Sequence, residues 1–358
     1  MDVADNYKTI GSHRPDNAIS LLDRSMADAT LKIMNSDKGK EQSNGKNQTI
    51  LLMKEQIKQT AMKLMTGNNE KAATDMVLLR TNLEIIKGQD EVIAYLLDLL
   101  ERDNLNLFPR IKPISLLFVG NSGVGKTEIA KIISHTLTGM PPIILNMTEY
   151  SHSAALNRII GAPAGYVGSD SKAELPFDIL ESNPYQVILL DEFEKADVAV
   201  QRLFMSAFDE GYIKTSKGKI VDFSKTIIIA TSNAGYTTQG NIMGFNVSNY
   251  NYNFATISEL SHFFDVELLN RFTRILNFNP ITEELFTEIL KDTYRRSVAL
   301  IKDKREDISL PELLSNEEVI ELKKNHYVRE FGARPIKSVV YKFIEDLVLD
   351  YSKRSVVK

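Results

Sequence analysis

One eight-residue stretch constrains the fold of this 358-residue chain more than any other. It consists of Gly120, Asn121, Ser122, Gly123, Val124, Gly125, Lys126 and Thr127. The apolar run ISLLFVG leads into it and a helical pattern follows it, which places the glycines in a turn between a strand and a helix. The backbone N–H groups of such a turn and the helix N-terminus bind phosphate. We therefore expect Lys126 to reach the β- and γ-phosphates of ATP and Thr127 to ligate Mg²⁺, because a turn that merely links two elements does not need Lys-Thr there.

Three further apolar runs follow, IILNM, QVILLD and TIIIATSN, in a region where strands and helices alternate. Continuous runs rich in β-branched residues predict a parallel sheet that is buried on both faces. After Pro280 strand signals become scarce, and the best helix candidates are 283–302, 316–325 and 335–351. The sequence therefore predicts an α/β fold, a parallel sheet flanked by helices, followed by a small and mainly helical C-terminal lid domain.

Two of these runs end in polar side chains. The run from Val187 ends in Asp191 and Glu192, and burying two carboxylates is costly unless a cation or hydrogen bonds compensate. We expect Asp191 to help hold Mg²⁺ and Glu192 to polarise the attacking water, although a solvated strand end is the alternative. Asn233, after the run TIIIATS, either hydrogen-bonds the water or the γ-phosphate or ends its strand in a turn.

Composition excludes several other classes of protein. The absence of cysteine excludes disulfides, thiolate metal sites and thiol catalysis, and it fits a reducing compartment. The five histidines are scattered, without a second ligand at metal spacing. The net charge of −4 gives no general reason to expect nucleic acid as a partner. Since neither a signal peptide nor a membrane-length apolar stretch is present, we expect a cytoplasmic protein without a membrane partner.

Seven motifs together resemble the AAA+ ATPases, and most closely the second ATPase ring of the Clp unfoldases of the ClpA and ClpC types. The resemblance runs from about residue 85 to 345. The motifs are IIKGQDEVI (85–93), GNSGVGKTEIA (120–130), RIIGAPAGYVG (158–168), VILLDEFEKAD (187–197), VDFSKTIIIATSNAG (221–235), LLNRF (268–272) and FGARPIK (331–337). The resemblance implies an AAA+ P-loop core at 85–280, a Clp-type lid at 281–358, and a place for Ile86 at the nucleotide.

The same resemblance implies a loop that grips polypeptide. In this family the Gly-aromatic-Val-Gly loop lines the axial channel of a hexamer, which gives Tyr166 and Val167 the role of contacting unfolded protein substrates. Taken by itself, the sequence favours the alternative that Tyr166 packs as an aromatic of the core. The segment GYIKTSKGK (211–219) is either a second channel loop or a solvated hairpin.

Two arginines match the family's motifs. Arg271, in LLNRF, corresponds to the arginine finger that enters the neighbouring subunit's site, which implies that activity needs a homo-hexamer. Arg334, in FGARPIK, corresponds to the lid arginine that senses nucleotide in its own subunit. One departure concerns the finger: the family's usual acidic residue two positions later is replaced here by Thr273, which leaves the anchoring of Arg271 open.

A third loop bears on the partner. Met243, Gly244 and Phe245 match the loop by which ClpA and ClpC dock on the ClpP peptidase, and the disaggregase ClpB lacks this loop. Met-Gly-Phe exposed in a long polar loop has little other use, although the loop could also fold back on its own domain. The resemblance therefore favours a ClpP-like peptidase as partner.

The N-terminal part resembles the end of a first ATPase ring. Residues 15–34 are predicted to be helical and to form, within 1–34, a remnant of that ring's last helix, whose usual preceding arginine falls at Ser12. Residues 35–84 are predicted to be a linker and connecting helices, and a further helix begins at Gln89. A separately encoded first-ring partner is thus conceivable.

These observations lead us to expect an ATP-driven protein unfoldase that threads substrates through a hexamer pore into a ClpP-like peptidase. Three alternatives remain at this stage: a ClpB-like disaggregase, a DNA-remodelling AAA+ ATPase, and a non-catalytic scaffold subunit that needs a first-ring partner.

Overall fold

A computed structural model describes most of the chain from residue 75 onward. The described residues are 75–108, 110–163, 175–236, 255–304 and 310–356. All the elements named below belong to one unit, formed by 73–177 and 186–358. Residues 178–185 belong to a second unit, together with 1–72, and their described structure is a 3₁₀ turn at Asp178–Glu181.

Strands and helices alternate through the first part of the larger unit. In chain order the elements are α1 Met76–Leu83, α2 Asp90–Asn104, β1 Ile114–Val119, α3 Lys126–Thr138, β2 Ile143–Asn146, α4 Asn157–Ile160, β3 Val187–Asp191, α5 Val198–Glu210, β4 Tyr212–Lys214, β5 Ile220–Asp222, β6 Ile227–Ser232, α6 Ile257–Leu260, α7 Val266–Leu269 and β7 Arg274–Asn277. Short 3₁₀ turns lie at Met147–Tyr150, Ser153–Leu156 and Phe193–Lys195.

Five of these strands form one parallel sheet in the order β2-β3-β6-β1-β7. Every residue of the two central strands β1 and β6 is buried, as their continuous apolar sequences predict. The edge strands β2 and β7 are only partly buried. The predicted parallel sheet is therefore confirmed, and each of the four predicted apolar runs contains one of its strands.

The fifth strand, β7, was not predicted from the sequence. It is four residues long, Arg-Ile-Leu-Asn, and it pairs with β1 from Leu116↔Arg274 to Val119↔Asn277. Because β7 lies at the edge of the sheet, two of its four residues can be polar. Such a short, mixed run gives no strand signal of its own.

The segment GYIKTSKGK forms an antiparallel hairpin. Strand β4 pairs with β5 in the register Tyr212↔Asp222 to Lys214↔Ile220, and the turn is closed by a hydrogen bond from Thr215 N to Lys219 O of 2.8 Å. Ile213 and Val221 are buried, whereas Lys214 and Ile220 are exposed. One face of the hairpin therefore packs inward and the other faces solvent.

The C-terminal part is helical, as predicted. It contains α8 Glu283–Lys304, α9 Asn316–His326 and α10 Ile336–Val356. Helix α9 begins with a capping box, in which the Ser315 hydroxyl accepts a hydrogen bond from Glu318 N and the Glu318 carboxylate accepts one from Ser315 N. The Tyr294 ring of α8 is buried against the Phe343 ring of α10, with 6.2 Å between the ring centroids.

One buried apolar cluster joins this helical part to the sheet. It contains side chains of β1, β3 and β6, of α2 and α3, and of α8 and α10. Its aromatic centre is the pair Phe118 and Phe278, whose rings lie 5.1 Å apart and are both fully buried. Full burial of such a side chain stabilises the fold by about 1.5–3 kcal/mol, so the cluster holds the lid helices against the sheet.

Within the described ranges, every helix is too short or too polar to cross a bilayer.

Candidate active site

The polar side chains predicted at the strand ends lie at one edge of the sheet. The phosphate-binding loop follows β1, Asp191 ends β3 and Asn233 follows β6, and these three strands are neighbours in the sheet. Because the strands are parallel, their carboxyl ends meet at the same edge. The structure therefore brings together residues that lie more than a hundred positions apart, such as Lys126 and Asn233.

Lys126 lies at the centre of this site, at the start of α3, and only 8% of it is exposed. Its ammonium donates to Gly120 O at 2.5 Å, to Asn121 O at 2.8 Å and to Asn233 Oδ1 at 2.8 Å. Burial lowers the pKa of Lys126 to about 8, although the nearby carboxylates, Glu194 first among them, act in the opposite direction. A buried cation whose hydrogen-bond acceptors are neutral oxygens favours the arrival of an anion.

Asp191 and Thr127 face each other across the loop. Thr127 Oγ1 lies 3.4 Å from Asp191 Oδ1, and the same carboxylate oxygen accepts a hydrogen bond of 2.5 Å from Thr231 Oγ1. Thr231, the penultimate residue of β6, thus fixes the Asp191 carboxylate. A hydroxyl and a carboxylate are the oxygen ligands that Mg²⁺ takes alongside phosphate oxygens.

Glu192 has an unusual backbone conformation. Its φ of 57° and ψ of 51° lie in the left-handed region, which non-glycine residues seldom occupy and which is found at functional sites. Its N–H donates to Thr231 Oγ1 at 3.1 Å. The turn after β3 is therefore held by β6, and Glu192 lines the same cavity as Lys126 and Thr127.

Glu194 is a further carboxylate of the site that the sequence analysis did not single out. Its Oε1 accepts a hydrogen bond from Asn233 N at 3.2 Å, whereas its buried Oε2 has no hydrogen-bond partner among the described residues. Glu194 thus holds the backbone of Asn233 while the Asn233 side chain contacts Lys126. Its place two residues after Glu192 in DEFEK was the available signal.

The lid contacts the phosphate-binding loop through backbone atoms. Ala333 donates its N–H to Gly123 O at 3.0 Å. Gly123 and Gly332 both have positive φ, and a Cβ on Gly123 would lie 2.2 Å from Phe331 O, while one on Gly332 would lie 2.8 Å from Ser122 O. The two glycines therefore permit a backbone approach that no other residue allows, and this approach brings Arg334 into the cavity.

Ile86 closes the other side of the cavity. The segment that carries it is tied to the end of the sheet by Gln89, which is fully buried. Gln89 Nε2 donates to Asn279 O at 2.8 Å, and Gln89 Oε1 accepts from Asn279 N at 2.8 Å. This reciprocal pair was not predicted, because nothing in the sequence joins residues 190 positions apart.

The cavity has a volume of ≈ 450 Å³. Among the residues that line it are the loop residues Ser122 to Thr127, together with Ile86, Asp191, Glu192, Asn233 and Arg334. A nucleoside triphosphate with Mg²⁺ fits this set: the buried Lys126 and the exposed Arg334 match phosphate, Thr127 and Asp191 match the metal, and the apolar Ile86 wall matches a base. The described residues offer no cluster of three or more acidic, histidine or cysteine ligands.

Some predicted site residues lie elsewhere. Arg271 is not among the residues that line the cavity of its own chain. Tyr166 and Val167, the peptidase-loop residues Met243, Gly244 and Phe245, and Ser12 all lie outside the described residues.

The chain is similar to known proteins over this same region. The family model described as AAA domain (Cdc48 subfamily) matches residues 111–275. The chaperone protein ClpB of Malacoplasma penetrans is 35% identical over 286 residues, 78% of this chain and 38% of that protein. The ATP-dependent Clp protease ATP-binding subunit ClpE of Bacillus subtilis is 33% identical over 271 residues, which are 75% of this chain and 38% of that protein. The ATP-dependent Clp protease ATP-binding subunit ClpL of Staphylococcus aureus is 32% identical over 350 residues, which are 95% of this chain and 48% of that protein. The chain thus spans less than half the length of these relatives.

Solved structures agree with these relatives. A closed-state cryo-EM reconstruction of Hsp104 with ATPγS and FITC-casein matches with a TM-score of 0.65 and 27% identity, over 98% of this chain and 59% of that one. The extended conformation of the Saccharomyces cerevisiae Hsp104:casein complex matches with a TM-score of 0.65 and 25% identity.

Proposed function

Because this chain belongs to the Clp family of AAA+ ATPases, we propose that it hydrolyses ATP in a homo-hexamer and uses the energy to unfold proteins and move them through a central channel. The observation that carries the proposal is the convergence of Lys126, Thr127, Asp191, Glu192 and Arg334 on one cavity at the carboxyl edge of the sheet.

Each side chain has a defined part in this proposal. Lys126 and the loop amides bind the phosphates, and Thr127 and Asp191 hold Mg²⁺. Glu192 accepts a proton from the attacking water, which is oriented by Asn233. Arg334 contacts phosphate from the lid of the same chain, and Arg271 does so from a neighbouring chain. Bound ATP supplies the phosphoanhydride whose cleavage drives the cycle.

The unfolding activity is supported by the loop around Tyr166 and by the relatives. Both matching Hsp104 structures, the closed state and the extended conformation, contain casein, which is a polypeptide. The loop GAPAGYVGSDSK places one aromatic ring between glycines, and an aromatic face contacts polypeptide without demanding a sequence. We propose that Tyr166 and Val167 grip the substrate.

The experiment compares unfolding with ATP hydrolysis. Tyr166→Ala is expected to slow the unfolding of a tagged fluorescent protein by at least about tenfold, because the ring contact is lost, while ATP hydrolysis stays near the wild-type rate. Glu192→Gln is expected to lower hydrolysis by about 10²-fold or more and to stop unfolding as well, with ATP binding and assembly retained.

Tyr166→Phe is the control, because it keeps the ring and loses only the hydroxyl. Equal unfolding by Tyr166→Ala and Tyr166→Phe would remove the loop from substrate gripping, and normal hydrolysis by Glu192→Gln would remove Glu192 from the chemistry.

The unfoldase is proposed to deliver its substrates to a ClpP-like peptidase through Met243, Gly244 and Phe245. This finer assignment is supported by that loop and by the names of ClpE and ClpL, which are ATP-binding subunits of a protease. The similarity to ClpB favours a second candidate, a chaperone that acts without a peptidase.

A further inference from the structure

Arg271 is held inside its own chain by two carboxylates. It lies just after α7, and its Nε is 2.8 Å from Asp209 Oδ2 while its Nη2 donates to Glu267 Oε1 at 3.1 Å. About 39% of the Arg271 side chain remains exposed. The guanidinium is thus oriented by its own chain and still open to a partner on one side.

The two carboxylates are not equivalent. Glu267 lies on α7, four residues before Arg271, and its side chain is 64% exposed, so that this pair is weak. Asp209 comes from a different element, the last turn of α5, and its side chain is only 27% exposed. The ion pair with Asp209 therefore ties the Arg271 side chain to helix α5.

Packing fixes both ends of the Asp209–Arg271 pair. Phe208 precedes Asp209 and Phe272 follows Arg271, and their rings lie 4.9 Å apart. Both rings are buried. The backbone on each side of the ion pair is consequently held by an aromatic contact, and the two charges need little ordering to meet.

The second oxygen of Asp209 also faces a cation. Lys112 Nζ lies 3.5 Å from Asp209 Oδ1. The Asp209 carboxylate is thus contacted by a cation at each of its two oxygens. Thr273, two positions after Arg271, has a different set of contacts: its Oγ1 accepts a hydrogen bond from Ser115 N at 3.1 Å, and its N–H donates to Ser115 O at 2.7 Å.

We infer that Asp209 is the positioning residue for Arg271: it holds the guanidinium at the angle at which it enters the nucleotide site of a neighbouring copy of this chain. The inference rests on the proposed function, because it takes Arg271 to act across a subunit interface. Asp209 thus supplies the anchoring of Arg271 that the sequence analysis left open. Misplacement of such a group by about 1 Å lowers rates by up to about 10²-fold.

The ion pair itself is testable without nucleotide. In ¹⁵N-labelled protein, the Arg271 Nε–H signal, assigned with Arg271→Lys, is expected to exchange slowly in the wild type and at least about tenfold faster in Asp209→Asn, because the acceptor has lost its charge. Equal exchange in the two proteins would overturn the inference. Asp98→Asn is the matched control, since the Asp98–Arg102 pair has the same Nε–O distance of 2.8 Å but is exposed and lies outside the site.

The positioning role is tested by mixing subunits. Asp209→Asn alone is expected to bind ATP and assemble like the wild type and to hydrolyse ATP about 10- to 100-fold more slowly. Mixing it with Glu192→Gln, whose own site is inactive but whose Arg271 and Asp209 are intact, is expected to restore hydrolysis at the Asp209→Asn sites. Mixing it with Arg271→Ala is expected to restore nothing, because neither subunit then supplies a positioned arginine.

The outcomes separate the two proposals. Normal hydrolysis by Asp209→Asn overturns the inference. The inference is also overturned if mixing with Glu192→Gln restores hydrolysis to Arg271→Ala but does not restore it to Asp209→Asn. Normal hydrolysis by Arg271→Ala, or a failure of Glu192→Gln to repair it, contradicts the action of Arg271 across the interface and hence the proposed function. A loss of ATP binding by Asp209→Asn also overturns the inference, because the residue then supports the fold of its own site.

Discussion

At the scale of the residue, Lys126 shows how the fold prepares a site for an anion. The ammonium is nearly buried, and its three acceptors are two main-chain carbonyls and the Asn233 side-chain oxygen, all of them neutral. Burial lowers the pKa of this group to about 8, which means that the charged form is less stable in the folded chain than in water. The negative charge of a phosphate stabilises the buried ammonium, so binding of phosphate offsets the free energy that burial of the charged Lys126 costs.

The lowered pKa predicts how stability depends on pH. Between about pH 8 and 10.5 the unfolded chain keeps a proton on Lys126 that the folded chain has lost. The free energy of unfolding therefore rises with pH in this window. Below the window, the destabilisation that comes from burying the charged Lys126 is fully present. Relative to Lys126→Met, the wild type should therefore gain on the order of 3 kcal/mol across the window. The measurement is urea unfolding without nucleotide and in EDTA, at a series of pH values.

Lys131→Met serves as control, because Lys131 lies on the same helix α3 and is not fully buried. A stability difference between wild type and Lys126→Met that does not change with pH would contradict the burial of the charge.

At the scale of the element, the turn before α10 and the phosphate-binding loop act as one contact surface. The hydrogen bond from Ala333 N to Gly123 O and the close approach of Gly332 to Ser122 O bring the two backbones together. Because Arg334 follows this turn directly, the backbone contact brings it to the cavity that it lines. We therefore predict that movement of the lid is coupled to the state of the nucleotide.

Gly332→Ala tests this coupling. The new Cβ would lie within 3.0 Å of two loop carbonyl oxygens and would also be strained at a φ of +53°. The lid turn should therefore move away from the loop, and the Kd for a fluorescent ATP analogue should rise about tenfold, which corresponds to the lost contact.

Gly139→Ala separates strain from contact. Gly139 has a similar φ of +69°, but nothing lies within 4 Å of its would-be Cβ. Gly139→Ala should lower thermal stability to an extent similar to Gly332→Ala, while its Kd for the ATP analogue stays at the wild-type value. Equal Kd values for Gly139→Ala and Gly332→Ala would contradict the coupling.

At the scale of the whole molecule, the proposed assembly takes one half of each of two different sites from every chain. Its cavity contains Lys126, Asp191 and Arg334, whereas Arg271 is held away from this cavity by Asp209. This division is what a ring of identical chains requires, since each interface then combines the cavity of one copy with the arginine of the next. The relatives differ in partner, as a chaperone and two protease subunits are among them.

The peptidase partnership distinguishes the two candidate functions. If the loop docks on a ClpP-like peptidase, Phe245→Ala should lower degradation of an unfolded substrate by about tenfold or more, because apolar anchors carry most of the binding energy of such contacts. ATP hydrolysis should be unchanged. Degradation is measured as the release of labelled peptides in the presence of the peptidase.

Leu300→Ala is the control, because Leu300 is an exposed apolar residue of the lid. Undiminished degradation by Phe245→Ala would remove the loop from docking, and a wild-type chain that unfolds substrate without binding the peptidase would favour the chaperone.

The sequence by itself determined the parallel sheet, the helical lid and the chemical type of the site. Apolar runs such as ISLLFVG and QVILLD need burial on both sides, and the glycine loop with Lys126 and Thr127 follows the first of them, so local pattern was sufficient. Only the tertiary structure decided which distant groups support the site. Thr231 fixes Asp191, Gln89 is paired with Asn279, and Asp209 holds Arg271. These partners are ordinary polar residues whose role depends on distances across the fold, and no spacing along the chain encodes such distances.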